Sequence, residues 1–241
     1  MQLENVVLDA HDPQRLGRFW EALLGAQRLT DGPEAFETRV ALPDGPFLDL
    51  CLQPVPEPVQ PGPRLHLDLA GGPRQDEVVD RALRLGARPL DIGQGDVPWV
   101  VLADPEGNPF CVMEDRPEYR ASGPVAALPL DSADPARDLL FWTAASGWEP
   151  ADTMMPAALR HPSGRGPLLE LCDETRPKRP GVKNRLHLDT RVEQGEDVED
   201  AVARLVALGG SELHPGWGDL PWRVLSDPSG NELCVLPAPS R

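Results

Sequence analysis

Residues 64–68 and 185–189 spell the same pentapeptide, Arg-Leu-His-Leu-Asp. On a strand, side chains alternate between faces, so His66 and Asp68 share one face and Leu65, Leu67 and Leu69 the other. His187 and Asp189 stand in the same relation. An imidazole and a carboxylate on one polar face can hold a divalent metal or move a proton. The plainer reading is a histidine hydrogen-bonded to its acidic neighbour in a cavity wall. Other groups join these by position. Glu170, His187 and Cys234 form one candidate three-ligand set, and Asp49, His66 and Cys111 the corresponding one. Carboxylate, imidazole and thiolate all suit zinc. Glu170 and His187 are also the candidate acid–base pair. Cys111 and Cys234 sit among apolar residues, as small core fillers do, and acting as nucleophiles would require lowered pKa values. Trp99 and Trp222 each follow a proline at the entry to a strand, where an aromatic can line a cavity mouth and stack on a flat ligand.

The elements that must position these groups are written twice. "LDAHDPQRLGRFWEALLGA" at 8–26 matches "LDSADPARDLLFWTAASGW" at 130–148, and "GPFLDLC" at 45–51 matches "GPLLELC" at 166–172. "DVPWVVLADPEGNPFCV" at 96–112 matches "DLPWRVLSDPSGNELCV" at 219–235. The matches keep one order and a nearly constant offset, so the halves are repeats. All four cysteines, Cys51, Cys111, Cys172 and Cys234, are repeat-equivalent, and none forms a C-x-x-C pair. The polar stretch 116–123 reads as the linker between halves 1–115 and 124–241.

Each half divides again, into modules 1–53 and 64–115, then 124–173 and 184–238. A strand-like start is followed by Asp12, able to cap a helix with Pro13 in its first turn. Leu16, Phe19, Trp20, Leu23 and Leu24 form an apolar helical stripe, which Gly25 ends. Strand-like runs "FETRVAL" and "FLDLCLQ" follow, and the connector "PVPEPVQPGP" leads to the second module. There "QDEVVDRALRLGA" is an amphipathic helix, and Asp-Pro-Glu-Gly-Asn turns the last two strands into a hairpin. The order is strand–helix–strand–strand–strand, four times over. Trp20 and Trp142 belong to the helical core stripes. His11, His161 and His214 lack repeat partners and read as surface residues.

This arrangement resembles the glyoxalase/bleomycin-resistance/dioxygenase group, the vicinal oxygen chelate superfamily. The resemblance rests on "DPQRLGRFWEALLG" and "DPARDLLFWTAASG" after a first strand, and on "DPEGNPFCV" and "DPSGNELCV" in the closing hairpins. It implies an α+β fold of four βαβββ modules paired into two curved half-barrel sheets, each with a cavity. The expectation is one cavity per half, with pairing between halves left open. In enzymes of the group, a His, Gln or Glu on a first strand and an acidic residue on a last strand hold a metal that chelates vicinal substrate oxygens. Here the matching positions are Asn5, Asp49, His66 and Cys111 in the first half, and Ala127, Glu170, His187 and Cys234 in the second. The implied functions are binding and sequestration of a small molecule or, alternatively, a metal-dependent lyase, isomerase or oxygenase. The expected cofactor is a divalent metal (Zn, Ni, Fe or Mn), and the expected ligand contacts are His66, Asp68, Asp49, Asp189, Trp99 and Trp222.

A net charge of −16, from 39 acidic and 23 basic residues, disfavours nucleic acid and anionic membranes as partners. No apolar run approaches the roughly 18–20 residues that span a bilayer. A cytoplasmic protein, monomeric or homodimeric, is the expectation.

Overall fold

The computed structural model describes residues 1–42, 45–55, 63–216 and 219–239. Residues 56–62 of the proline-rich connector lie outside them. Module 1 comprises β1 (Gln2–Ala10), α1 (Pro13–Leu24), β2 (Gln27–Asp31), β3 (Phe36–Ala41) and β4 (Phe47–Pro54). Module 2 follows with β5 (Leu67–Ala70), α2 (Gln75–Leu85), β6 (Arg88–Pro89), β7 (Val100–Ala103) and β8 (Pro109–Met113). Module 3 is β9 (Val125–Ser132), α3 (Pro135–Ser146), β10 (Glu149–Pro150), β11 (Ala158–Arg160) and β12 (Leu168–Asp173). Module 4 is β13 (Leu186–Arg191), α4 (Val198–Ala207), β14 (Ser211–Leu213), β15 (Arg223–Ser226) and β16 (Glu232–Leu236). The caps behave as their residue types dictate. Asp12 accepts from the Arg15 N–H, Pro13 opens α1, and Gly25 closes it at φ 65°, a backbone angle that side chains rarely tolerate.

The modules form two curved eight-stranded sheets, but the pairing crosses the halves. Sheet A has the order β14-β15-β16-β13-β1-β4-β3-β2 and joins module 1 to module 4. Sheet B has the order β10-β11-β12-β9-β5-β8-β7-β6 and joins module 2 to module 3. The central seams are antiparallel, β1 with β13 and β5 with β9. The expectation of one cavity per half is therefore corrected: each cavity takes one module from each half. Repeats 121–123 residues apart carry nearly the same edges, so their sequences cannot say which copy an edge will meet.

Period-2 alternation divides the faces. Leu48, Leu50 and Leu52 of β4, Leu186 and Leu188 of β13, and Phe110 and Val112 of β8 join one apolar core that also takes residues from all four helices. The opposite faces carry the polar groups. Within each half the two modules are tied through this core. Phe19 and Trp20 of α1 pack edge-on against Phe110 of module 2. The Trp20 Nε1–H also donates to Asp104 in the first hairpin turn, at 3.3 Å, and the Trp142 Nε1–H to Asp227 in the second, at 3.1 Å. Burial pushes the Asp227 carboxyl up to about 6, although it accepts hydrogen bonds from Asn231 and Ser229 as well. Trp142→Phe keeps the packing but removes one donor from this buried carboxylate. It is expected to lower stability by about 1–3 kcal/mol, read as a shift in the urea midpoint. Among the described residues no helix is long and apolar enough to cross a membrane.

Candidate functional site

On sheet A the polar face gathers Asn5 of β1, Asp49 and Cys51 of β4, His187 and Asp189 of β13, and Cys234 of β16 around a cavity of about 660 Å³. The strand registers explain the convergence. Asn5 faces Asp49 on one side and Asp189 on the other, and Asp189 faces Cys234. His187 Nε2 lies 3.4 Å from Asp189 Oδ1 and 3.7 Å from Cys234 Sγ. One donor atom from each of these three buried residues falls within 4.8 Å of the other two. Asp189 Oδ2 accepts from Asn5 Nδ2 at 3.1 Å, while Asp189 Oδ1 and His187 Nδ1 are buried with no hydrogen-bond partner. Asp49 faces the same cavity but is bound bidentately by Arg39 at 2.8 and 2.7 Å, and that guanidinium stacks on Phe47. Trp222 lines the same cavity.

On sheet B the equivalent group is His66, Asp68 and Cys111. His66 Nε2 is 3.2 Å from Asp68 Oδ1, and His66 is half-exposed. Burial opposes its charged form, but the hydrogen bond and charge of Asp68, with help from Asp131 and Glu170, raise its pKa above the ordinary histidine value. Glu170 stands here too, on β12, beside Asp68 and His66. The expected sets Glu170–His187–Cys234 and Asp49–His66–Cys111 are therefore not assembled. Because modules pair across halves, Glu170 meets His66 and Asp49 meets His187. The carboxylate that completes each group comes from the histidine's own strand, two residues on.

The segment read as a linker does more than connect. A short turn at Pro117–Tyr119 lays Tyr119, the chain's one tyrosine, onto the polar face of sheet B. Tyr119 is buried there against Val101, Cys111, Ala127 and Leu168. Its hydroxyl donates to Glu170 Oε1 at 3.2 Å and accepts from Arg116 Nη1 at 3.4 Å. Arg116 in turn lies over the Trp99 ring, at 5.7 Å. Burial and the Asp68 charge push the Glu170 carboxyl up to about 7. The sequence offers only a lone aromatic inside an otherwise polar connector, which does not by itself indicate burial on a distant sheet.

The cysteines are free thiols, three of them buried. Burial pushes Cys51 and Cys172 up to about 12. Cys111 and Cys234 are raised further by burial and by Asp68 and Asp189 respectively. The lowered pKa that a thiolate nucleophile at either position would require is thus not met, and the shift runs the other way.

The glyoxalase-like domain model matches residues 5–113 and again 127–236. The chain belongs to the glyoxalase-like domain family. Solved structures share the fold. Glyoxalase I from Zea mays superposes with a TM-score of 0.61 at 17% identity, covering 98% of this chain and 92% of that one. A putative dioxygenase from Bacillus subtilis subsp. subtilis str. 168 gives 0.60 at 15% identity, with 100% and 86% covered. At these identities the likeness is one of fold. No curated protein matches the chain. For this glyoxalase-like protein, the chemistry must be argued from its own two cavities.

Proposed function

We propose that the sheet A cavity binds a small molecule beside a divalent metal held by His187, Asp189 and Cys234. The observation that carries this reading is the donor spacing. A tetrahedral ion with bonds of about 2.0–2.1 Å to nitrogen and oxygen and about 2.3 Å to sulfur separates those donors by about 3.4 Å (N to O) and about 3.6 Å (N to S). His187 Nε2 stands 3.4 Å from Asp189 Oδ1 and 3.7 Å from Cys234 Sγ. The unpartnered, buried Asp189 Oδ1 supports the same reading, because such an oxygen is costly unless something meets it. A mixed N, O, S donor set suits zinc best among the common divalent ions. Such an ion lowers the pKa of a coordinating thiol and polarises oxygens of a ligand at its open positions.

The remaining residues have definable parts. Asn5 holds Asp189 Oδ2 and so turns Oδ1 toward the histidine. Arg39 neutralises Asp49 and keeps it out of the donor group. Trp222 offers a flat face at the cavity mouth.

Elemental analysis of protein purified without a histidine tag or chelator tests this directly. About one metal ion per chain is expected in wild type, with loss in His187→Ala and retention in His66→Ala. Cobalt loading supplies a second readout, a near-ultraviolet thiolate-to-metal band absent from Cys234→Ser. Metal-free wild type that stays so after incubation with zinc, nickel, iron or manganese overturns the reading.

The second reading is sequestration of a ligand without metal or turnover. It is favoured by the raised Cys234 thiol, which in a metal-free protein leaves His187, Asp189 and Cys234 as a polar cavity wall. It expects a ligand that raises the melting temperature and is recovered with unchanged mass.

A further inference from the structure

We propose that the sheet B cavity is a separate site for a small organic oxyanion, a carboxylate or a phosphate monoester, gripped at its rim by Arg176 and Arg179. The cavity encloses about 730 Å³, within the size range of small-molecule sites. His66, Val101 and Cys111 of sheet B line it on one side, and the segment 175–185 walls it on another. Six cationic side chains line it, namely Arg64, Arg176, Lys178, Arg179, Lys183 and Arg185, while Asp131 is the one acidic lining residue among those described. Such a concentration is unexpected in a chain of net charge −16.

Four of the six cations have structural employment. Arg64 pairs with Glu174 at 2.7 Å, Lys178 with Glu232 at 2.8 Å, Lys183 with Asp9 at 2.5 Å and Arg185 with Glu106 at 2.7 Å. Arg176 and Arg179 are exposed, and the side chain of neither has an ion pair or hydrogen bond among the described residues. Four of the lining cations are matched by carboxylates, and Asp68 and Glu170 stand beside His66, so the charge the cavity offers a ligand is that of Arg176 and Arg179 at its rim. Two forked guanidinium groups at the edge of the cavity suit bidentate contact with a planar carboxylate or a phosphate. Pro177 follows Arg176 and Pro180 follows Arg179, and each restricts the backbone that presents its arginine.

The repeat supplies an internal control. The connector at 174–184 carries Arg176, Lys178, Arg179 and Lys183, including both lysines of the chain. Its counterpart at 54–63 carries no Lys or Arg. A solvated loop charge with no task has no reason to accumulate in one copy only. The inference is independent of the metal on sheet A.

Isothermal titration of wild-type protein with citrate, with glycerol 3-phosphate and with uncharged glycerol tests it, at constant ionic strength. Saturable binding of at least one of the two anions and none of glycerol is expected, and the preferred anion identifies the headgroup. Arg176→Glu/Arg179→Glu, both at exposed positions, is expected to weaken that binding at least tenfold at an unchanged melting temperature. His187→Ala, which removes a sheet A donor, is expected to leave it unaltered. Affinity should also fall as salt rises. Equal binding by the double variant, equal heat from glycerol, or no saturable binding of either anion overturns the proposal.

Discussion

Arg64→Ala is expected to destabilise the protein by about 3–5 kcal/mol, the range for breaking a buried ion pair. The side chain of Arg64 is 8% exposed and its guanidinium is fully engaged. It meets Glu174 at 2.7 Å, donates to Asn231 Oδ1 at 2.7 Å, and reaches the carbonyls of Arg176, Asp131 and Ser229. Asn231 and Ser229 belong to the hairpin turn of sheet A, whereas Arg64 enters sheet B. Its repeat partner Arg185 does the reciprocal thing, binding Glu106 in the hairpin turn of sheet B and the Asp9 carbonyl of sheet A. The arginines of the two pentapeptides therefore fasten one sheet to the turn of the other. Removing Arg64 leaves Glu174 uncompensated and several acceptors unmet. Arg64→Lys keeps a charge but not the fork, so an intermediate loss is expected. Urea unfolding with an unchanged m-value measures both; a loss below about 1 kcal/mol for the alanine variant would mean that the sheets hold together without this latch.

Glu170→Gln is expected to make the protein more stable at pH 8 by up to roughly 3 kcal/mol and to change little at pH 4. The sign follows from the raised carboxyl. Its ordinary value is 4.5, and burial followed by the Asp68 charge takes it to about 7 in the folded chain. Below the ordinary value both folded and unfolded chains hold the proton. Between there and about 7 the folded chain keeps a proton that the unfolded chain has lost, so stability falls as pH rises through that window. Above it the loss is complete and constant. Glutamine has the same shape, stays neutral, and can still accept from the Tyr119 hydroxyl, which lies at 3.2 Å. Stability curves from pH 4 to 8 for the two proteins check this. Parallel curves would mean that Glu170 is ionised throughout and that its burial is compensated.

Much of this architecture could be read from residues alone, because caps, turns and alternating faces are local. Asp12, Pro13 and Gly25 mark α1, and Asp104 with Gly107 marks the first hairpin. His66 with Asp68 and His187 with Asp189 could be placed on one face each from a spacing of two. What the sequence could not supply was choice among equals. Edges such as β1 and β9 are repeats of one another, so the partner of Glu170 and the partner of Asp49 were decided by long-range pairing. Tyr119 was illegible for a different reason. Its burial depends on a turn that folds back onto a sheet made by distant segments, and nothing in "RPEYR" announces that. The two pentapeptide arginines were visible as repeated letters, but their role lies in contacts 79–167 residues away.

The crossed seams have a consequence for how the two cavities came to differ. A chain of half this length could complete both sheets by joining a twin through the same β1–β13 and β5–β9 edges. Twofold symmetry would then oblige both of its pockets to be identical, since one set of letters would write each of them. Covalent fusion removes that obligation. Among the described residues Tyr119 packs onto the polar face of sheet B alone, and Arg176 and Arg179 line the sheet B pocket alone. A substitution in this chain alters one site at a time, so one scaffold can keep two unlike pockets under separate control.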